Sequence, residues 1–239
     1  MFEIFDTEIN STTAPVDSNI RRILRKKNQV ESLSIHAEFG EAWSRYADQL
    51  RETNISCLTV WDFGNDSDFS WLSEFCFIKK LHLHTDNIPS ESVFSKFNSL
   101  KGFCIGKSPS QKVNDFSKIH RLINGLDYLT ITGQWSHCHL ISEISIKELS
   151  LSDFKSTENL FLSSNSIHNL SLHRCKDFDF CNLVKLPNLK YLELLSKHET
   201  ANLPELKTHE HLHEVLFTNK KNAEDFIRIL PHNTKIEMA

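Results

Sequence analysis

Apolar residues recur along this chain in one fixed frame, apolar-x-x-apolar-x-apolar, with polar residues between them. The frame reads Val30-x-x-Leu33-x-Ile35, Ile55-x-x-Leu58-x-Val60, Ile78-x-x-Leu81-x-Leu83, Leu100-x-x-Phe103-x-Ile105, Leu126-x-x-Leu129-x-Ile131, Ile146-x-x-Leu149-x-Leu151, Ile167-x-x-Leu170-x-Leu172, Leu189-x-x-Leu192-x-Leu194 and Leu212-x-x-Val215-x-Phe217. The central residues follow one another at steps of 25, 23, 22, 26, 20, 21, 22 and 23. Within each unit the fourth and sixth places alternate with polar ones, which predicts a strand with one buried face. Between strands, Glu41–Glu52, Asp68–Ile78, Ser90–Leu100 and Val113–Asn124 place Trp, Phe, Leu and Ile at helical spacing. Connections from about 134 to 212 are shorter, and predict irregular or single helical turns.

These nine frames and their spacing resemble the leucine-rich repeat superfamily, whose period is roughly 20–29 residues. The resemblance covers about residues 30–220. It implies an α/β solenoid: a curved horseshoe with a parallel β-sheet on the concave side and helices and irregular turns on the convex side. Residues 1–29 and 221–239 then act as N- and C-terminal caps of one domain, because an open stack must protect both ends. Phe2 and Ile4 alternate as in a strand, Asn19–Lys27 and Asn222–Leu230 read as amphipathic helices, and Lys235–Met238 reads as a closing strand. The basic run Arg21, Arg22, Arg25, Lys26 and Lys27 is read as a solvated cap face. The chain departs from the family at the ninth place, where Asn or Cys is usual. Here that place holds Glu38, Phe63, Asp86, Ser108, Gln134, Phe154, Cys175, Lys197 and Lys220, so the turns are expected to be irregular.

Composition narrows the function. A net charge of −4 gives no basic footprint for nucleic acid. The acidic start and the lack of a long apolar run argue against a signal or membrane helix, and predict a cytoplasmic protein. Six scattered cysteines, with no C-x-x-C, read as reduced thiols. Phe69, Phe75, Phe77, Phe94, Phe97, Phe116, Phe154, Phe161, Phe178 and Phe180 fall between strands, where packing is their expected role.

Alternation along each strand sends the third, fifth and seventh places away from the core. The third-place column is Ser32, Cys57, Lys80, Gly102, Tyr128, Glu148, Asn169, Tyr191 and Glu214. The fifth is Ser34, Thr59, His82, Cys104, Thr130, Ser150, Ser171, Glu193 and Leu216; the seventh is His36, Trp61, His84, Gly106, Thr132, Ser152, His173, Leu195 and Thr218. Interfaces are enriched in Trp and Tyr anchors. The expected partner-binding residues are therefore His36, Trp61, Lys80, His82, His84, Tyr128, Glu148, His173, Tyr191, Glu193 and Glu214. The pairs His82/His84 and His137/His139 and the trio His209/His211/His213 raise a metal site, but no clustered Asp, Glu or Cys completes a set of three or four ligands. No G-x-S-x-G, P-loop or H-E-x-x-H is present, and repeats with caps account for the chain, so no enzyme, metal or cofactor is expected.

The expectation is a non-enzymatic protein-binding module, a monomer when unbound, that presents a rigid face to one protein. A small stand-alone divergent solenoid resembles bacterial immunity proteins that neutralise a cognate toxin. An adaptor or substrate-recognition subunit of a larger assembly is the alternative.

Overall fold

The structure, a computed structural model, describes residues 1–64, 67–106, 113–121, 123, 125–154, 164–175, 178–196, 203, 206–207 and 209–238. The chain divides into two compact units, Met1–Lys107 and Ser108–Ala239. Both are mixed α/β, with mostly parallel sheets. Ser108, Phe161 and Lys197 lie outside the described residues.

The first unit opens with an antiparallel hairpin, β1 (Phe2–Phe5) and β2 (Glu8–Ser11). β3 (Ser32–His36), β4 (Cys57–Trp61), β5 (Lys80–His84) and β6 (Gly102–Ile105) then follow in parallel register. Register aligns Ile9, Leu33, Leu58, Leu81 and Phe103 in one column, each 0% exposed. Each buried side chain of this kind contributes roughly 1.5–3 kcal/mol over an exposed one. β2 of the hairpin pairs with the edge of β3, and α1 (Asp17–Arg25) turns Ile20 and Ile23 inward while Arg21, Arg22 and Arg25 stay exposed. The segment expected to be helical over Glu41–Glu52 forms two short helices, α2 (Gly40–Ser44) and α3 (Ala47–Arg51). Trp43 is buried at their centre. Gly40 lets the Trp71 indole lie against the backbone: a β-carbon there would meet Trp71 Cε2 at 2.0 Å.

Asp68–Ile78 contains a 3₁₀ turn, Ser70–Phe75, and Ser90–Leu100 contains the single turn α4 (Glu91–Phe94). In these connectors i→i+3 bonds, such as Leu72 N–H to the Phe69 carbonyl (3.0 Å), close the chain more tightly than α-helical bonds would.

In the second unit, β8 (Leu126–Thr132), β10 (Ile146–Ser152), β11 (Asn169–His173), β12 (Tyr191–Leu194), β13 (Glu214–Phe217) and β14 (Lys235–Met238) pair in parallel, once β7 (Val113–Asp115) and β9 (Gln134–Ser136) are set apart as a two-stranded sheet. Leu129, Leu149, Leu170, Leu192 and Val215 align in its core column. The helix expected from Val113 is instead β7 followed by a 3₁₀ turn, Phe116–Lys118. Pairing with Gln134–Ser136 competes better for these backbone groups than a lone helical turn. Cys138–Glu143 and Phe180–Lys185 are 3₁₀ turns, as the shorter connections predict, and α5 (Lys220–Ile227) precedes β14. Of the phenylalanines expected to pack between strands, those described are buried except Phe77, which Arg51 covers at 5.6 Å from the ring centroid.

A local motif recurs at the connectors. In Asp68-Phe-Ser70, Asp115-Phe-Ser117 and Asp179-Phe-Cys181, the carboxylate accepts the backbone N–H two residues on, at 2.8–3.0 Å. The intervening Phe69, Phe116 and Phe180 each enter the core. An Asx turn fixes the chain direction and the phenylalanine anchors it.

Candidate functional site

The sequence-derived columns match the strand pairing residue by residue. In the first unit Ser32, Cys57, Lys80 and Gly102 align, as do Ser34, Thr59, His82 and Cys104, and His36, Trp61 and His84. In the second, Tyr128, Glu148, Asn169, Tyr191 and Glu214 align, with Thr130, Ser150, Ser171, Glu193 and Leu216 beside them, and Thr132, Ser152 and His173 beyond. β14 extends the columns with Lys235 and Glu237. Because the fourth and sixth places are buried, these side chains form the opposite face of each sheet.

On the first unit this face is aromatic and imidazole-rich. The Trp61 and His84 rings stack with centroids 3.8 Å apart and planes 7° from parallel, and Trp61 Nε1–H donates to Ser34 Oγ at 3.0 Å. Trp61 is thus held flat across three strands while 38% of it stays exposed. His36 meets the exposed ring of Phe63 edge-on at 5.2 Å. Burial, then the charges of His84 and Lys80, hold His82 below the ordinary histidine value; burial alone does so for His84. Both imidazoles are therefore neutral at neutral pH. Burial pushes the Cys57 thiol up and the Cys104 thiol to about 11, so neither supplies a thiolate nucleophile.

The second unit carries a different surface. Tyr128, Glu148, Asn169, Ser171, Tyr191 and Glu193 line an open cleft of about 250 Å³ floored by short side chains such as Ser150. Ser171 Oγ–H donates to Glu193 Oε2 at 2.5 Å and fixes that carboxylate. Glu214 pairs with Lys235 at 3.2 Å, and Lys235 also contacts Glu237. Burial and then the charges of Glu193, Glu214 and Glu237 raise the Tyr191 hydroxyl above its usual value. His173 lies at the strand end next to Ser152, beside the cleft's rim and not in its lining.

Where the strands end, the eighth place carries the polar chemistry missing from the ninth. Asp62, 2% exposed, accepts from Ser67 Oγ (2.5 Å), Thr85 Oγ1 (2.7 Å), Gly64 N–H (2.9 Å) and Asn87 Nδ2 (3.3 Å). Burial raises its pKa, but these donors outweigh it and hold the carboxyl below the usual value. In the second unit Asp153 receives a two-pronged bond from Arg174 at 2.6 and 2.8 Å, and the Arg174 N–H donates to Ser196 Oγ. Gly133, Asp153 and Arg174 turn the chain with φ of 94°, 62° and 51°. Cys175, the one ninth-place residue of the usual type, is buried and donates to the Leu151 carbonyl.

Among the described residues no group of three or more His, Cys, Asp or Glu is placed to hold a metal. The His137 and His139 rings are 6.1 Å apart, with His137 Nδ1 on Asp115, while His209 is buried with Nε2 3.0 Å from the Leu183 carbonyl oxygen. Nor is any described helix long and apolar enough to cross a membrane.

No protein-family model and no curated protein matches the sequence. Among solved structures, the chain is similar to Toll in the Toll–Spatzle complex of Drosophila, with a TM-score of 0.59 at 12% identity. The fold is leucine-rich-repeat-like. The match covers 89% of this chain and 30% of the Toll chain, so this chain spans under a third of the length of that leucine-rich repeat protein. At this identity the likeness concerns the fold, and the surfaces described above are this chain's own.

Sequence reasoning missed the eighth-place contacts and the β7–β9 pair. The Asp-Phe-Ser spacing was an available signal for the connectors, and nothing in a single sequence announces that Trp61 stacks on His84 rather than reaching outward.

Proposed function

We propose that this chain is a non-enzymatic protein-binding module that uses its outward strand columns to engage one protein partner. The observation that carries the reading is the register. It gathers exposed Trp61 on one unit and Tyr128 with Tyr191 on the other onto rigid strands, where holding an aromatic anchor costs little further ordering on association. His36, Lys80, His82, His84, Glu148, His173, Glu193 and Glu214 surround those anchors. In the most specific form of this proposal the protein is a cytoplasmic immunity protein, monomeric when unbound. It neutralises a cognate toxin by covering the toxin's active site or substrate entry.

The test is affinity capture from native lysate with the wild-type chain, with Trp61→Ala, and with Tyr128→Ala/Tyr191→Ala, retained proteins being identified by mass spectrometry. One protein held by the wild type and lost from at least one variant is expected. A toxin encoded beside this chain's gene would support neutralisation, and a constitutive assembly subunit would make the chain an adaptor. A partner retained equally by all three chains would overturn the strand-face reading.

A further inference from the structure

We infer that the Tyr128–Tyr191 cleft of the second unit is a receptor for an arginine side chain projecting from the protein partner. The inference rests on the binding reading above and makes its chemistry specific.

Tyr128 and Tyr191 stand in one column three strands apart, roughly 14 Å at the usual ~4.8 Å strand spacing. Between them Ser150, Asn169 and Ser171 are too short to fill the gap, which leaves the cleft open. Its volume of about 250 Å³ suits a side-chain head group better than a single water, whose share of liquid volume is about 30 Å³.

The charge of the walls selects the guest. Glu148 and Glu193 both line the cleft, and neither makes an ion pair among the described residues. The nearby cations are engaged: Lys147 with Asp127 at 2.7 Å, and Lys235 with Glu214 and Glu237. Lys147 attracts Glu148 only secondarily to its bond with Asp127, so the two carboxylates leave the cleft wall negative, which favours a cationic guest and repels an anionic one. Burial first, and after it the charges of Glu193, Glu214 and Glu237, hold the Tyr191 hydroxyl above its usual value at this wall. Among cationic side chains, a planar guanidinium both stacks on aromatic faces and offers a fork of N–H donors to carboxylates. An ammonium can sit over an aromatic face but cannot stack flat on it, and it meets carboxylates as a point charge without a fork. The Ser171 bond holds Glu193 ready, so its carboxylate is ordered before the guest arrives.

The experiment uses the full chain and three capped tripeptides, acetyl-Gly-Xaa-Gly-amide with arginine, lysine or citrulline at the centre, titrated by NMR at low salt. Citrulline keeps the shape of arginine without its charge. Arginine peptide is expected to bind in the millimolar range, at least threefold tighter than lysine and at least tenfold tighter than citrulline, and to weaken as salt is added. Glu148→Gln/Glu193→Gln should lose at least tenfold, and Tyr191→Ala at least threefold. Glu224→Gln, on the exposed side of α5, changes one charge away from the cleft and should bind as wild type. Far-UV circular dichroism and thermal midpoints establish that each variant is folded. Equal binding of all three peptides, or arginine binding unchanged in the double glutamine variant, would overturn the inference. Arginine binding with no captured protein partner would uphold the cleft and defeat the module reading. A partner lost from Tyr128→Ala/Tyr191→Ala but held by the double glutamine variant would do the reverse.

Discussion

The two units share one backbone plan and carry opposite surfaces. In the first, short helices and 3₁₀ turns back the strands, and the outward columns hold the neutral imidazoles of His82 and His84, thiols and a stacked indole. In the second, 3₁₀ turns and the helix α5 back the strands, and the columns hold tyrosines among Glu148, Glu193, Glu214 and Glu237, with Lys235 the opposing charge on those columns. The buried fourth and sixth places, which set the fold, scarcely differ between units. The difference lies in the third, fifth and seventh places, which the fold leaves free. On the proposed function, the shared architecture sets where a partner sits and the column residues set which partner it is.

The largest effects should be the same in both units, because both depend on buried aromatics. Trp43 is fully buried in the first; in the second, Phe226 lies 5.2 Å from Phe180 and 5.5 Å from Phe217. Trp43→Ala and Phe226→Ala should each cost about 3–5 kcal/mol in urea unfolding. A loss below about 1 kcal/mol at either site would mean that unit is held together otherwise. Gly40→Ala should cost about 1–3 kcal/mol by forcing the Trp71 ring away, and thermal melting reads it directly.

The eighth-place contacts sharpen the comparison. Asp62→Ala strands the buried Thr85 hydroxyl and should cost about 1–3 kcal/mol, whereas Arg174→Gln breaks an exposed pair and should cost at most about 1 kcal/mol. Paired denaturation curves that reverse this order would contradict the assignment of Asp62 as the firmer turn.

The smallest effect is electrostatic and confined to the first unit. His82 and His84 have folded pKa values below the unfolded value of about 6.5, so the unfolded chain binds more protons. Their contribution to stability is complete above that pH and is lost as pH falls through it toward the folded values. The urea midpoint should drop between pH 7.5 and 5.5, and His82→Asn should flatten part of the drop. An unchanged slope in that variant would remove His82 from the account.

Much of this was legible in the sequence because strands write themselves in a period of two. Leu33, Leu58 and Leu81 announce both strand position and register, and the columns of Tyr128, Glu148 and Tyr191 follow from alternation alone. The connectors were harder: Phe at helical spacing, as in Val113–Asn124, suits an α-helix, a 3₁₀ turn or an anchored strand, and tertiary pairing decides among them. Side-chain meetings across strands, such as Trp61 on His84 or Asp62 on Thr85, join residues 23 apart in the chain. Register locates such neighbours, but rotamers and competing donors determine whether they touch.

Oxidative footprinting of the chain with and without its captured partner tests the central claim most directly, because it reads side chains rather than strand amides. Protection of Trp61, Tyr128 or Tyr191, with exposed Val184 and Ile227 on the connectors unchanged, is the predicted result. Protection of Val184 and Ile227 with the three column aromatics unchanged would contradict it, and would move the binding surface to the opposite side of the strands.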